Sequence, residues 1–283
     1  MQNFTALLLN LDRDRDRFDH MTKQLAHAGI TFTRQPGILG DAVPEELKPY
    51  FFDKQGHPRT GMKRGEIGCY ASHLRALQRV ANDELGPAVL IMEDDLAFVP
   101  GFRDLLSTVL DNAPRGWDII RLSNPPRRAY VPLVPIDPEH IFIRYSKIPN
   151  SAGAYLVTPA GAKKFLLYGV RGLTFDDDLR RPWFHGMETL GVMPPPARAG
   201  MLASSIDAIE SGRFDKGISS RMERILRGDH FHMFRRLGYN MHNLGTENWF
   251  KCCAINLADM LIKPIKKHSI IDEAAAKFFS TKI

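Results

Sequence analysis

Apolar and polar positions alternate between two rhythms from the start of the chain. "FTALLLNL", residues 4–11, is a short apolar run that breaks into "DRDRDRFDHMTKQLAHAGI", where Phe18, Met21, Leu25 and Ala28 recur at helical spacing until Gly29 closes the pattern. "TFTRQPGILG" reads as a second strand ending in a turn, and strand, helix, strand in that order predicts an α/β layer with a mostly parallel sheet. Residues 41–64, with Pro44, Pro49, Gly56, Pro58 and Gly61, read as a long loop of the kind that carries function in compact domains. "GEIGCYASHLRALQRVANDELG" predicts a helix with Ile67, Tyr70, Leu74, Leu77 and Val80 on its apolar face. After it come a strand over "AVLIMEDD", a helix around "GFRDLLSTVLDNA" and a strand over "WDIIRLS". "PPRRAYVPLVPIDPEH" reads as loop, because Pro125, Pro126, Pro132, Pro135 and Pro138 offer no ladder donors. "AGAYLVT" is then a strand, "PAGAKKFLLYG" a helix with Pro159 in its first turn, and "VMPPPARAG" irregular. No internal repeat of 20 to 50 residues is present.

Composition narrows the class. With 283 residues, 44% of them hydrophobic and 25% charged, the chain has material for one large folded domain and a small extension, which excludes disorder as its main state. The net charge of +6 is regional: residues 1–210 hold 25 Lys/Arg and 25 Asp/Glu, while residues 211–268 hold 11 against 5. We therefore expect a domain over residues 1–210 and a basic, mainly helical extension over 211–283. Ile218, Met222, Ile225, Leu226, Met233 and Leu237 fall on one helical stripe beside Arg221, Arg224, Arg227, Arg235 and Arg236, and "INLADMLIKPIKKH" is apolar and basic. Such helices either cover the core with a solvated basic face or lie on an anionic membrane surface.

Cys69, Cys252 and Cys253 are an odd set without CxxC or Cys/His ligand spacing, which fits a reduced, cytoplasmic setting better than a disulfide scaffold or a zinc site. The N-terminal apolar run lacks a preceding basic residue and a cleavage site, so it reads as a strand and not a signal peptide. The cleanest apolar runs, such as Ala88 to Met92, fall far short of the roughly 20 residues a spanning helix needs. The basic excess comes with no nucleic-acid reader motif, so no nucleic-acid partner is expected.

Two acid clusters carry candidate chemistry. "AVLIMEDDLAF" sets Glu93, Asp94 and Asp95 directly after a buried strand. If the strand continues, Glu93 and Asp95 share one face and Asp94 points to the other. Ligands of parallel α/β sheets gather beyond the carboxyl ends of strands. Adjacent carboxylates repel unless a cation or a proton intervenes, and oxygen donors at this spacing suit Mg²⁺ or Mn²⁺ bound to a diphosphate. In "LTFDDDLRRPWFHG", an extended backbone puts Asp176 and Asp178 on one face, either able to serve as general base toward a hydroxyl. Arg180 or Arg181 beside them could instead hold an acid ionised and structural. By spacing alone both clusters are equally a helix cap or a solvated turn.

"GEIGCYASHLRAL" together with "VLIMEDDLAF" closely resembles the signature of glycosyltransferase family 25, the lipooligosaccharide and collagen galactosyltransferase family. "LLLNLDRDRDRF", "WDIIRLS", "AGAYLVTPAGAKKFL" and "TFDDDLRRPWF" resemble further blocks of that family in the same order, over roughly residues 5–185. The resemblance implies a GT-A-like α/β nucleotide-sugar domain, a UDP-sugar donor with galactose commonest, Mn²⁺ or Mg²⁺, and inversion at the anomeric carbon. It places Glu93, Asp94 and Asp95 on the DxD-like motif, with Asp95 and Glu93 as metal ligands. Asn10, Asp12 and Arg17 fall where the first strand and turn approach the nucleotide. Glu66, Ser72 and His73 fall on the donor-site signature, Glu66 being also a catalytic candidate beside Asp176 and Asp178. Asn150-Ser151-Ala152 departs from the family's usual Gly-Thr, which bears on acceptor contacts.

The expected protein is an inverting, metal-assisted hexosyltransferase acting on a saccharide hydroxyl of a lipooligosaccharide-type, lipid-linked glycan, cytoplasmic and peripheral on the inner membrane face. The alternatives are a UDP-glucose-using transferase of the same family and a non-catalytic glycan-binding protein on a retired transferase fold. His73 has a plainer reading as a packing residue, Cys69 as a small buried hydrophobe, and Trp183 as a loop anchor rather than a sugar platform.

Overall fold

The computed structural model describes residues 3–123, 125–126, 128–200 and 232–266. Strand β1 (Thr5–Asn10) pairs in parallel with β2 (Thr33–Pro36) on one side and β3 (Val89–Met92) on the other. Across β3 lie, in order, β8 (Ala154–Val157), β5 (Ile119–Arg121), β9 (Thr189–Met193), β7 (Ile141–Tyr145) and β6 (Tyr130–Pro135), completing an eight-stranded sheet. Only β8 and β7 run against the other six strands, so the sheet is mostly one-directional, as the sequence predicts.

Both faces of the sheet are covered, and the alternation of β1 shows how. Leu7 and Leu9 join Val89 and Ile91 against α3 (Arg64–Ala81), while Ala6 and Leu8 join Leu90 and Met92 on the opposite face. There, α1 (Arg15–His27) contributes Met21 and Leu25, and α4 (Phe102–Asn112) contributes Phe102, Leu106 and Val109. Helix α5 (Pro159–Leu166) packs beside α3 and is capped by Thr158, whose hydroxyl accepts from the Gly161 amide at 3.0 Å. A small ribbon of β4 (Leu96–Phe98) and β10 (Ala197–Ala199) closes one end.

Four expectations need correction. The proline-rich stretch holds the edge strand β6, which pairs antiparallel with β7 across a register shift between Pro132 and Pro135. An edge position tolerates proline because one row of its backbone groups has no ladder partner. The supposed loop over 41–64 contains α2 (Lys48–Phe51) and buries Val43, Leu47, Phe51 and Met62 against α3. "VMPPPARAG" is in part ordered as the end of β9 and the short β10. The second acid cluster is helical: α6 (Phe175–Leu179) is followed by α7 (Pro182–His185), so Asp176 and Asp178 diverge rather than share a face. Thr174 caps α6, and three acids in its first turn are favoured by the helix dipole.

The C-terminal helices α8 (His232–Leu244) and α9 (Thr246–Lys266) pack against α7 and the β6–β7 edge. Asn256 accepts from the Ala129 amide at 2.8 Å and donates to the Ser146 hydroxyl, and Trp183 of α7 meets Tyr239 of α8. The stripe residues Ile218, Met222, Ile225 and Leu226, Arg221, Arg224 and Arg227 beside them, and the boundary near residue 210 lie outside the described residues.

Candidate active site

Three parallel strands end together, and their carboxyl ends make the floor of a cavity of about 470 Å³. Asn10 ends β1, the loop Gly37–Asp41 leaves β2, and Glu93, Asp94 and Asp95 leave β3. The N-terminal half of α3 forms one wall and α6 another. Loop and helix are locked together: the Ser72 hydroxyl accepts from the Ile38 amide and donates to Gly68 O, both at 2.8 Å.

The acidic segment does not continue as a strand. β3 stops at Met92 and the chain bends through Asp94 and Asp95, which turns both toward α1. Arg17 Nη2 lies 2.8 Å from Asp94 Oδ1 and 3.2 Å from Asp95 Oδ2. The other oxygen of Asp94 accepts from Asn10 Nδ2 at 2.7 Å, so Asp94 is committed on both sides. Its pKa is nevertheless raised, because burial outweighs the Asn10 hydrogen bond and Arg17. Glu93 goes the other way, to His73 Nε2 at 3.2 Å.

His73 is buried and fixed on every side. Its ring stacks on Phe175 at 3.9 Å and 7°, and Nδ1 meets the Tyr155 hydroxyl at 3.0 Å. Burial lowers its pKa to about 3, while Glu93 is raised to about 8 by burial and then by the charges of Asp95 and Asp94. Both shifts favour the uncharged forms, and a protonated Glu93 donates to Nε2, leaving Nδ1–H to donate to Tyr155. Cys69, one turn before His73 on α3, is not the wholly buried hydrophobe expected and does stand at ligand spacing from a histidine: it is half-buried in the cavity wall, with the ligand atoms of Cys69, His73 and Glu93 all within 4.8 Å. Asp176 enters the cavity from α6, its pKa raised to about 6 by burial and then by the Glu93 charge, with Arg121 opposing.

A site with several carboxyls, two of them held well above their ordinary pKa, is short of positive charge. Hard oxygen donors of this kind fit Mg²⁺ or Mn²⁺. Asp95, partly open to the cavity with its carboxylate on Arg17, is the donor suited to that role, and Glu93, turned toward His73, could add an oxygen once it gives up its proton.

Of the residues singled out from sequence, Asn10, Arg17, Glu66, Ser72, His73, Glu93, Asp94, Asp95 and Asp176 line this one cavity. Glu66 also accepts from the Lys63 amide at 2.9 Å, capping the start of α3. Two residues lie elsewhere. Asp12 is 82% exposed at its side chain and pairs with Arg34 outside the cavity. Asp178 is fully buried against Arg171 at 3.1 Å, with His185 at 3.2 Å and the Tyr70 hydroxyl hydrogen-bonded to it. A carboxylate sealed beside a buried guanidinium serves folding, since removing one partner of such a pair costs about 3–5 kcal/mol. Trp183 anchors α8 and lies outside the cavity. Sequence reasoning passed over Arg121 and Tyr155. Arg121 is buried, its guanidinium donating to Pro149 O and Ser151 O, and an arginine inside the apolar strand "WDIIRLS" was the available signal.

Comparison with known proteins follows the same segment. The model of glycosyltransferase family 25 (LPS biosynthesis protein) matches residues 3–178. A "Glycosyltransferase 25 family member" from Aedes aegypti is 31% identical over 123 residues, covering 40% of this chain and 20% of its own length. Procollagen galactosyltransferase 1-A of Xenopus laevis is 27% identical over 177 residues, covering 57% of this chain and 28% of its own. The match thus spans between a fifth and a third of these relatives' lengths. A solved glycosyltransferase involved in glycosylation of the major capsid of PBCV-1 aligns with a TM-score of 0.42 at 10% identity, covering 77% of this chain and 98% of that one.

Proposed function

The chain belongs to glycosyltransferase family 25, and on that premise we propose that it moves a hexose, galactose by preference, from a UDP-sugar to a hydroxyl of a saccharide acceptor with inversion. The observation that carries this reading is the meeting of Asp176 with the Glu93–Asp95 acids in one cavity beyond the carboxyl ends of β1 and β3. Curated relatives named as procollagen galactosyltransferases support the choice of sugar, and the family's description as an LPS biosynthesis protein supports a lipopolysaccharide-type acceptor.

The residues divide the work. Asp176, with a pKa of about 6, is largely ionised at neutral pH and accepts the acceptor's proton as its oxygen attacks the anomeric carbon. The bond from that carbon to the diphosphate breaks on the opposite face, and UDP leaves. Asp95, together with Glu93 in its deprotonated form, would hold Mn²⁺ or Mg²⁺, which supplies charge stabilisation for the departing diphosphate. Arg17 and Asn10 keep Asp94 and Asp95 in place without that ion, while Arg13 and Arg64 at the cavity rim add positive charge for the phosphates. The free thiols of Cys69, Cys252 and Cys253 support a reducing compartment, and no helix among the described residues is long and apolar enough to cross a membrane.

The test is turnover of a panel of nucleotide sugars with and without Mn²⁺, alongside Asp95→Asn. We expect UDP-galactose hydrolysis or transfer that depends on the cation and falls at least roughly a hundredfold in the variant, the size of a lost transition-state electrostatic contact. Preference for UDP-glucose would reassign the donor, and no turnover of any UDP-sugar would leave the retired-fold alternative standing.

A further inference from the structure

Helix α9 is inside out. An amphipathic helix on a globular core normally turns its apolar face inward. Here the face toward the core carries Cys252, Asn256 and Asp259, and the Asn256 amide bridges the Ala129 amide and the Ser146 hydroxyl. The opposite face carries Phe250, Ala254, Leu257 and Leu261, spaced four, three and four residues apart, with Met260 beside them. Phe250, Leu257, Met260 and Leu261 are 60%, 59%, 59% and 65% exposed, and Met233 at the start of α8 is 72% exposed. Contiguous exposed apolar side chains of this size mark a surface that another body covers.

Charge identifies that body. Residues 1–210 are electrically balanced, so the whole excess of +6 belongs to the part of the chain that carries this face. Arg235 and Lys251 are exposed on α8 and α9, Lys251 in an ion pair with Glu247, and the sequence of the last turns of α9 adds Lys263 and Lys266, which follow Asp259 at helical spacing. Two copies of the chain meeting here would bring like charge together. An anionic surface meets both properties, drawing the basic residues and receiving the apolar ones. No described helix is apolar enough to span a bilayer, which leaves the interface as the place where such a helix lies.

We propose that the outward face of α9, built on Phe250, Leu257, Met260 and Leu261 in the part of the chain that carries its whole positive excess, docks the protein on an anionic bilayer surface. The helix lies in the plane of the headgroups with its apolar row in the upper acyl region, while Asn256 holds the catalytic core above it. This surface stands apart from the transfer cavity, so either reading can fail without the other.

The experiment uses the full chain with vesicles of phosphatidylcholine alone and of phosphatidylcholine carrying roughly 30% phosphatidylglycerol. The protein is expected to sediment with the anionic vesicles and not the neutral ones, and to release as ionic strength rises. Phe250→Gln/Leu257→Gln/Leu261→Gln should weaken that partition at least roughly tenfold while keeping the parental melting temperature, which shows that it folds. A tryptophan placed by Leu257→Trp gives a reading that needs no loss of function: brominated acyl chains should quench it only in anionic vesicles. Absence of vesicle binding by the parent, or equal partition of the triple variant, overturns the proposal. So does a parent that is dimeric in solution and becomes monomeric in the triple variant, since that assigns the face to a second copy.

Discussion

Asp176 is a carboxyl the fold would be more stable without. Its pKa of about 6 stands above the ordinary 3.8, so the folded chain binds this proton more tightly than the unfolded one. The stability linked to it is present below about pH 4, declines as pH rises toward 6, and is absent above. Asp176→Asn should therefore melt at a higher temperature than the parent at about pH 8, by up to about 3 kcal/mol of stability, and match it at about pH 4. The same variant should lose transfer while retaining UDP binding, and the parent's kcat/KM should rise with pH through about 6. Melts across pH and a pH–rate profile check both halves; a variant less stable than the parent at high pH would contradict the burial argument. Asp178, two residues on, shows what sequence does not reveal at this scale. Which acid faces a cavity and which faces Arg171 depends on backbone conformation and on a partner seven residues away, and residue identity is the same for both.

Elements whose pattern reports their own burial were legible. The stripe Ile67, Tyr70, Leu74, Leu77 and Val80 gave α3, and the apolar run ending at Met92 gave β3. Elements fixed by neighbours were not: β6 reads as loop because its prolines are acceptable only at an edge, and edge position is a property of the finished sheet. The helix–loop contact at Gly68 is of the same kind. A Cβ there would stand 2.5 Å from Ile38 O and 2.8 Å from Gly40 N, both backbone atoms that cannot rotate away. Gly68→Ala should push the Gly37–Asp41 loop off α3, break the Ile38 amide to Ser72 hydrogen bond and weaken UDP binding more than it lowers the melting temperature. Isothermal titration beside a thermal melt separates the two, and unchanged UDP affinity would show that the loop is not part of the donor wall.

Across the molecule, the ordered motifs conveyed the α/β core and the cluster at its carboxyl edge, because those blocks sit at strand ends that converge in any parallel arrangement. The attachment of the C-terminal helices was illegible, since it rests on contacts between residues far apart in the chain, Trp183 with Tyr239 and Asn256 with Ala129 and Ser146 among them. Asn256→Ala leaves the Ala129 amide without its acceptor, a loss on the order of 1–3 kcal/mol for a buried donor. We expect limited proteolysis to cut the α8–α9 segment free faster in this variant while the core stays resistant; identical digestion would place the attachment elsewhere.

The proline-bearing edge also governs what the protein can join. Strand β6 ends the sheet with Pro132 and Pro135, and the far edge, β2, is only four residues long and terminates in Pro36. Each proline removes a donor that an incoming strand would need, so neither margin is a good template for a foreign β-segment. The protein is thereby guarded against growing into ribbons or fibrils through its largest sheet, at concentrations where an unblocked eight-stranded sheet would be a hazard. Contacts it does make fall to its helical surfaces, where side chains rather than main-chain ladders decide what is admitted.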